Sequence, residues 1–206
     1  MGKVVSGLTM SLDGYIAGPN DGPEHPLGEN GMQLFDWYES GDTEYTVPSG
    51  TMAFHISAES AQMLDETFSA IGALVTGRRT FDITDGWGGQ HPVDAPIFVV
   101  THEVPHEWIE RYPDAPFTFV TDGIESAVAQ AQAVAGDRDV AVGAASLVQQ
   151  ALKAGLLDEM HVSLVPLLLG GGVRLFEDFG SEPVKMEITR VINDPDVTQI
   201  TYRVVK

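Results

Sequence analysis

The fold of this chain is organised around the sequence VAVGAASLVQQAL at residues 140–152. The apolar start predicts a short buried strand, the small residues that follow predict a tight turn, and the remainder has the spacing of a helix. Ser146 and Gln149 have the spacing of a capping box, so we expect the helix to begin at Ser146. Gly155 follows the last apolar position and predicts the end of the helix.

The turn at residues 143–146 has two interpretations. Small residues before a helix N-terminus let a ligand approach the backbone, where free N–H groups and the helix dipole favour an anion. On this interpretation the turn binds a phosphate. An ordinary connection between a strand and a helix has the same pattern, and the turn alone does not distinguish the two.

The composition fits a single globular domain spanning residues 1–206, with 43% hydrophobic residues for one sizeable core. The chain has no cysteine, which excludes disulfides, thiol nucleophiles and thiolate metal sites. No apolar run approaches the roughly 18 residues of a membrane helix, and the N-terminus lacks a signal-peptide pattern. We therefore expect a soluble, cytoplasmic protein.

The charge of the chain excludes several classes of partner. A net charge of −19 argues against nucleic acid and against anionic membranes, because both need a basic face. Between Lys3 and Arg111 the only basic residues of the Lys and Arg type are Arg78 and Arg79. Two cations isolated in an acidic half of the chain suggest that these side chains bind a ligand, although one of them could equally pair with a surface acid.

The order of the predicted elements indicates the fold class. Strands alternate with helices and a strand-rich tail follows, which is typical of an α/β domain with a mainly parallel sheet and an antiparallel C-terminal edge. Residues 19–31 are rich in Gly, Pro and Asn and predict a loop long enough to be a lid. Residues 39–53 predict an exposed excursion. The predicted strands include residues 3–10, 73–76, 96–102, 117–120, 159–169, 184–193 and 197–205, and the predicted helices include residues 32–38, 57–71 and 124–135.

Polar or small motifs fall at the carboxyl ends of three predicted strands, where open α/β sheets bind their ligands. These motifs are residues 76–80, 101–102 and 143–146. Together they predict a site for a dinucleotide, although neither a Rossmann fingerprint nor a P-loop is present.

The residues of the first two motifs have the chemistry of phosphate recognition. Arg78 and Arg79 supply positive charge and Thr80 a hydroxyl at a helix start. Thr101 and His102 could reach a second phosphate or a ribose, although a histidine in such a place is also common on an ordinary surface. The spacing of the six histidines indicates no metal site.

The motifs resemble the dihydrofolate reductase-like family that includes the C-terminal reductase domain of bacterial riboflavin biosynthesis proteins (RibD). The resemblance extends nearly from end to end and keeps the order and spacing of the family. It is carried by SLDGYIA at 11–17, TGRRTF at 76–81, FVVTH at 98–102, VGAASL at 142–147, GLLDE at 155–159 and PLLLGGG at 166–172.

The resemblance implies a three-layer, dihydrofolate reductase-like domain that uses NADPH and forms a homodimer. Relatives usually have two glycines where this chain has Gly143-Ala144, and in dihydrofolate reductases that pair forms a cis peptide. The implied cofactor contacts are Gly77, Arg78 and Thr80 at the phosphates, Thr101 and His102 at the adenosine 2′-phosphate, Gly143, Ala144, Ala145, Ser146 and Leu147 at the pyrophosphate, and Ile16 and Ala17 beside the nicotinamide.

A reductase often needs a proton source, and Asp36 is the predicted catalytic residue. It lies among Leu34, Phe35 and Trp37, where desolvation would raise the pKa of its carboxyl group. A solvent-facing position on the helix is the alternative. Asp13 and Trp37 are the predicted substrate-binding residues, although Asp13 also fits a structural turn and Trp37 a core position.

Two functions remain open from the sequence. The first is NADPH-dependent reduction of a small heteroaromatic or carbonyl compound, pterin-like or ribitylamino-pyrimidine-like. The second is a non-catalytic module that retains the fold and binds a nucleotide or a pterin.

Overall fold

A twisted sheet of eight strands forms the middle layer of the computed structural model, which describes residues 2–177 and 183–206. Two two-stranded sheets accompany it. The strands of the described residues are β1 (Val4–Ser11), β2 (Tyr15–Ala17), β3 (Thr43–Thr46), β4 (Ala53–Ile56), β5 (Ile71–Gly77), β6 (Ile97–Val100), β7 (Phe117–Val120), β8 (Asp139–Val142), β9 (Glu159–Val165), β10 (Val173–Arg174), β11 (Met186–Asn193) and β12 (Thr198–Val204).

The large sheet confirms the predicted mixed architecture. Its strand order is β11-β12-β9-β1-β8-β5-β6-β7, and the six strands from β9 to β7 run parallel. β12 and β11 complete the sheet in antiparallel orientation at the C-terminal edge. The central strands are apolar at nearly every position because layers cover both of their faces, whereas the edge strand β11 is exposed along most of its length.

Helices and short 3-10 helices connect the strands. The predicted helix 124–135 has the predicted bounds because Gly123 and Gly136, both with positive φ, flank it. The predicted helix 57–71 is too long, since Ile71 is already the first residue of β5. The helices are α1 (Ala58–Ala70), α2 (Arg78–Ile83), α3 (His106–Arg111), α4 (Ile124–Ala135) and α5 (Ala145–Lys153), and the 3-10 helices are Gly31–Glu39 and Asp85–Gly89.

The two faces of the sheet carry separate hydrophobic cores. On one face α4 and α5 bury Val128 and Val148 against the strands, with Val140 and Met160 in the same cluster. The second core contains residues of α1, of the 3-10 helix Gly31–Glu39 and of the β3–β4 hairpin. On that side of the sheet, the Gln199 side chain of β12 donates a hydrogen bond to Ser60 of α1.

The predicted exposed excursion at residues 39–53 is correct for most of its positions, but the prediction misses a hairpin with one buried face. Residues 43–56 form the β3–β4 hairpin, in which Tyr45 and Val47 are buried with Phe54 and Ile56. The alternation of apolar residues, two positions apart on each side of a Gly-containing turn, is the signal of a hairpin strand with one buried face.

Candidate functional site

The central sheet opens between two neighbouring parallel strands, β1 and β8. β1 pairs with β8 only at Val4 and Val5, although it continues to pair with β9 as far as Ser11. A cleft of about 700 Å³ lies where the two strands diverge, bounded by β1 on one side and the start of α5 on the other. Because it lies at the carboxyl ends of parallel strands, it is the candidate site of this fold.

The cleft has two walls of different chemistry. The polar wall comes from the start of α2, the turn after β6 and the start of α5. The apolar wall comes from β1, β2, the 3-10 helix Gly31–Glu39, β10, which pairs with β2, and Pro26 and Leu27 of the lid loop. Asp21 of the same loop also lines the cleft, but on the side of the polar wall, where it pairs with Arg79. All the predicted cofactor-binding residues except Gly143 line the cleft, namely Ile16, Ala17, Gly77, Arg78, Arg79, Thr80, Thr101, His102, Ala144, Ala145, Ser146 and Leu147.

Arg78 ties two strand ends together. Its Nε donates to Asp82 Oδ1 at 2.7 Å, within the same helix. Its Nη1 donates to the Glu103 carbonyl oxygen at 2.7 Å and to Thr101 Oγ1 at 3.3 Å. The guanidinium of Arg78 is therefore part of the framework of the polar wall as well as a candidate phosphate contact.

Arg79 pairs with an acid that comes from the lid loop, residues 19–31. Its Nη2 donates to Asp21 Oδ1 at 2.6 Å and to the Asp21 carbonyl oxygen at 3.1 Å, and its Nε donates to Oδ2 at 3.2 Å. The pKa of Arg79 is raised because its guanidinium hydrogen-bonds to the Asp21 carboxylate. The Arg79 side chain is 68% exposed. Both arginines thus pair with an acid, Arg78 with Asp82 and Arg79 with Asp21, and Asp21 itself lines the cleft.

Thr101 and His102 lie in the turn after β6, which is shorter than the predicted strand 96–102. Thr101 is buried, and its hydroxyl donates to the Glu103 carbonyl oxygen at 2.7 Å. This hydroxyl also accepts a hydrogen bond from the Glu103 N–H, so the chain bends out of the sheet at this point. His102 is exposed at the rim of the cleft.

The start of α5 differs from the predicted capping box. The helix begins at Ala145, its N-cap is Ala144 without a side-chain cap, and Ser146 is exposed. Gln149 Nε2 donates instead to the Leu175 carbonyl oxygen at 2.9 Å. The capping-box prediction is therefore wrong, because Gln149 is used to hold the segment after β10. The predicted end of the helix is confirmed, since Gly155 follows it with φ +66°.

The uncapped turn leaves room and donors for a ligand. The Gly143-Ala144 peptide is cis, as in the dihydrofolate reductases. A Cβ atom added at Gly143 would meet no atom within 4 Å, so there is open space beside this residue. The first N–H groups of a helix have no acceptor within it, and those of Ala145 and Ser146 lie beside the cleft that these two residues line.

The predicted surroundings of Asp36 are wrong. Its segment is a 3-10 helix with three residues per turn, so Gly31, Leu34 and Trp37 share the buried face. Asp36 is exposed and does not line the cleft. Phe35, one position earlier, lines it instead.

The two predicted substrate-binding residues lie outside the cleft lining. Trp37 is buried in the second core, 2% exposed. Asp13 accepts hydrogen bonds from Ser11 Oγ at 2.6 Å, the Gly170 N–H at 2.7 Å and the Leu169 N–H at 3.1 Å. These donors, the Ser11 hydroxyl above all, lower the pKa of Asp13. The geometry therefore favours a structural role for both residues, because neither of them lines the cleft.

Several cleft residues escaped the sequence analysis. Asp21 lies in the predicted lid, but the loop holds other acids and nothing in the sequence shows which of them reaches Arg79. Phe35 lies one position away from the buried face of its 3-10 helix, and nothing in the sequence shows that this position reaches the cleft. Thr9 belongs to a predicted strand, and only the divergence of β1 from β8 places it on a cleft.

The fold and the cleft define a dihydrofolate reductase-like protein, and the comparison with known families agrees. The chain belongs to the RibD C-terminal domain family, whose model matches residues 2–200. Two relatives from Bacillus subtilis (strain 168) carry the names uncharacterized protein YwjB and YyaP. YwjB is 24% identical over 184 residues, which cover 87% of this chain and 86% of YwjB. YyaP is 24% identical over 210 residues, covering 97% and 94%.

Solved structures have the same fold. A candidate riboflavin biosynthesis protein from Shewanella sp. PV-4 is 25% identical, with a TM-score of 0.68 over the full length of both chains. Dihydrofolate reductase from Enterococcus faecalis, complexed with NADP(H), is 14% identical, with a TM-score of 0.57 over 100% of this chain and 98% of that one. The deaminase/reductase of Thermotoga maritima is 15% identical, with a TM-score of 0.62 over 99% of this chain and 57% of that one. The last two show the fold alone.

The described residues contain neither a cluster of metal ligands nor a membrane-spanning helix. Among residues 2–177 and 183–206 no group of three or more His, Asp or Glu side chains is arranged to hold a metal ion. None of the helices in the same ranges has the length and apolar character needed to cross a membrane.

Proposed function

We propose that this chain is an NADPH-dependent reductase of a small heteroaromatic or carbonyl compound. The observation that carries the proposal is the convergence of three strand ends on one cleft. Arg78 and Arg79, the Thr80 hydroxyl and the first N–H groups of α5 all lie on one wall of it. These are the donors that a dinucleotide with several phosphates requires.

The residues present fit the cofactor. The open space at Gly143 and the uncapped start of α5 accommodate the pyrophosphate, while Ile16 and Ala17 on the apolar wall accommodate an uncharged ring. When bound, NADPH would supply a hydride, which is one hydrogen with two electrons. The polar wall would hold the phosphates, and the apolar wall would exclude water from the acceptor.

Family relatives support the class of reaction. The family is that of the RibD C-terminal domain, and the Shewanella protein with 25% identity is described as a candidate riboflavin biosynthesis protein. In this chain the reaction, the cofactor and a place in riboflavin biosynthesis are part of the proposal.

Titration with NADPH tests the proposal. We expect saturable binding to the wild type that Ser146→Glu weakens at least tenfold, because the new carboxylate would repel a phosphate at the start of α5. A negative charge there also favours the helix dipole, so the variant should remain folded. Ser126→Glu makes the same change in the first turn of α4, outside the cleft, and should bind NADPH as the wild type does. Equal binding by all three proteins contradicts the proposed site.

One observation favours the second candidate, a non-catalytic nucleotide- or pterin-binding module. Asp36 is exposed, and none of the described residues on the apolar wall is an acid. Such a module would bind NADPH without ever oxidising it, whichever acceptor is supplied.

The proposal includes the homodimer that the family resemblance implies. The edge strand β11 exposes Ile188 and Val191, 61% and 54% respectively, on a chain that is otherwise strongly acidic. An exposed apolar edge strand is the kind of surface that a second copy covers. Light scattering on the eluting protein would show twice the mass of one chain, and Ile188→Glu would reduce it to a single chain.

A further inference from the structure

The apolar wall of the cleft has no charged group. Leu8, Ile16, Leu27, Phe35 and Val173 are its main side chains. The charged residues that line the described cleft lie on the polar wall or, in the case of the lid residue Asp21, pair with it. They are Asp21, Arg78, Arg79 and Glu103.

The absence of charge limits what this wall can recognise. The amino groups of an amino-pyrimidine or a pteridine are bound most strongly by a carboxylate, and a ribityl phosphate is bound most strongly by a cation. The acids close in sequence to these residues do not reach the wall: Glu24, Glu29 and Asp36 are exposed and do not line the cleft. Asp13 does not line it either, and accepts three hydrogen bonds from the protein. A charged group placed against the apolar wall would lose water without gaining a partner.

Thr9 is the one protic side chain that the described residues contribute to the apolar wall. It is only 7% exposed and lines the cleft. Its hydroxyl makes no hydrogen bond with any described residue, unlike those of Ser11 and Thr101. A hydroxyl can donate one hydrogen bond, and a carbonyl-type oxygen of a ligand is a suitable acceptor. Water entering the cleft would occupy this position in the absence of such a ligand.

We propose that the substrate of this cleft is a neutral, largely apolar compound with a carbonyl or quinone oxygen, which accepts a hydrogen bond from Thr9. The inference rests on the proposed reductase function and deepens it, because it selects a neutral carbonyl compound over a ribitylamino-pyrimidine or a pterin. Phe35 and Leu27 pack against the rings of such a compound, and Thr9 fixes the orientation of its oxygen.

Calorimetric titration without cofactor tests the inference, with menadione as the neutral quinone. The comparison ligands are a ribitylamino-pyrimidine phosphate, dihydropterin and 2-methylnaphthalene, which has the shape of menadione without its oxygens. We expect menadione to bind at least tenfold more tightly than the pyrimidine phosphate and dihydropterin. Tighter binding of either of these two overturns the inference.

Variants of Thr9 test the hydrogen bond. Thr9→Val keeps the shape of the side chain and should weaken the binding of menadione about tenfold, because one good hydrogen bond is lost. The same substitution should leave the binding of 2-methylnaphthalene unchanged. Thr9→Ser keeps the hydroxyl and should bind menadione nearly as tightly as the wild type does. Thr201→Val, on the same sheet but outside the cleft, is the matched control. Equal weakening of menadione and 2-methylnaphthalene by Thr9→Val assigns Thr9 to packing and overturns its role.

The experiment separates this inference from the proposed function. Thr9-dependent binding of menadione in a protein that fails to bind NADPH would uphold the ligand class and contradict the reductase. Binding of NADPH without any binding of menadione would uphold the cofactor site and contradict the ligand class.

Discussion

Arg79 and Asp21 join the lid loop to the polar wall of the cleft, with Nη2 and Oδ1 2.6 Å apart. The carboxylate occupies the same fork of N–H donors that a phosphate would use. The Arg79 side chain is 68% exposed and the Asp21 side chain only 14%, so water screens this ion pair in part. A phosphate group carries a larger negative charge than a carboxylate and offers the same kind of oxygen acceptors, so the lid and the ligand compete for one cation.

The first prediction concerns Asp21→Asn. The amide no longer competes as an anion for Arg79, so NADPH should bind up to about fivefold more tightly, the equivalent of about 1 kcal/mol. Fluorescence titration measures this change. In an Arg79→Ala background the same substitution should have no effect, because the competition requires the guanidinium. Weaker binding by Asp21→Asn would instead mean that the carboxylate positions Arg79 for the ligand.

The second prediction concerns Arg79→Ala. If this guanidinium contacts the 2′-phosphate, the substitution should lower the affinity for NADPH about 10- to 100-fold and leave the affinity for NADH nearly unchanged. Arg111→Ala is the matched control, because Arg111 also pairs with an aspartate, Asp85, but outside the cleft. Equal weakening of both cofactors by Arg79→Ala would contradict the 2′-phosphate contact and move Arg79 to the pyrophosphate.

The third prediction concerns Asp36→Asn. Because Asp36 is exposed and does not line the cleft, its substitution should leave turnover and the pH–rate profile unchanged. Steady-state kinetics across the pH range would check this. A loss of turnover with unchanged NADPH affinity would restore Asp36 as the proton source.

The fourth prediction concerns pH and stability through His91. Burial lowers the pKa of His91 to about 4, and its Nδ1 accepts a hydrogen bond from the Val93 N–H at 3.1 Å, which requires the unprotonated nitrogen. In the unfolded chain His91 becomes protonated below pH about 6.5, whereas in the folded chain it stays neutral down to about pH 4. The free energy of unfolding should therefore fall by up to about 3 kcal/mol as the pH drops through this window.

Urea unfolding at several pH values would measure this effect. His91→Asn keeps an acceptor for Val93 and should reduce the dependence between pH about 6.5 and 4, while His161, whose pKa burial also lowers, keeps its own contribution. His25→Asn, at an exposed histidine, is the control and should keep the pH dependence of the wild type. An identical pH dependence in wild type and His91→Asn would show that the histidine does not contribute.

The sequence predicted most of the fold because its local signals agree with the tertiary structure. Glycines at 123 and 136 flank α4, and apolar runs bounded by polar turns predict the central strands. The polar motifs after β5, β6 and β8 meet at one edge because parallel strands end together, so the sequence predicted the polar wall of the cleft.

The errors arose where a period or a partner cannot be read locally. Asp36 was expected in an apolar environment because Leu34, Phe35 and Trp37 flank it in sequence, but with three residues per turn the buried face falls on Leu34 and Trp37. The partners of Arg79 and Gln149, Asp21 and Leu175, come from distant parts of the chain. Sequence spacing carries no information about such contacts.

Transfer of deuterium from NADPH labelled at the reactive C4 position tests the central claim most directly. The wild-type protein, loaded with labelled cofactor, would be mixed in turn with a neutral quinone, a dihydropterin and a ribitylamino-pyrimidine phosphate. For a reductase we expect the absorbance of reduced nicotinamide to disappear with one of these acceptors, and mass spectrometry to find the label in NADP⁺ or in reduced product according to which C4 hydrogen was replaced. NADPH that stays bound and unoxidised with all three acceptors would contradict catalysis and establish a binding module.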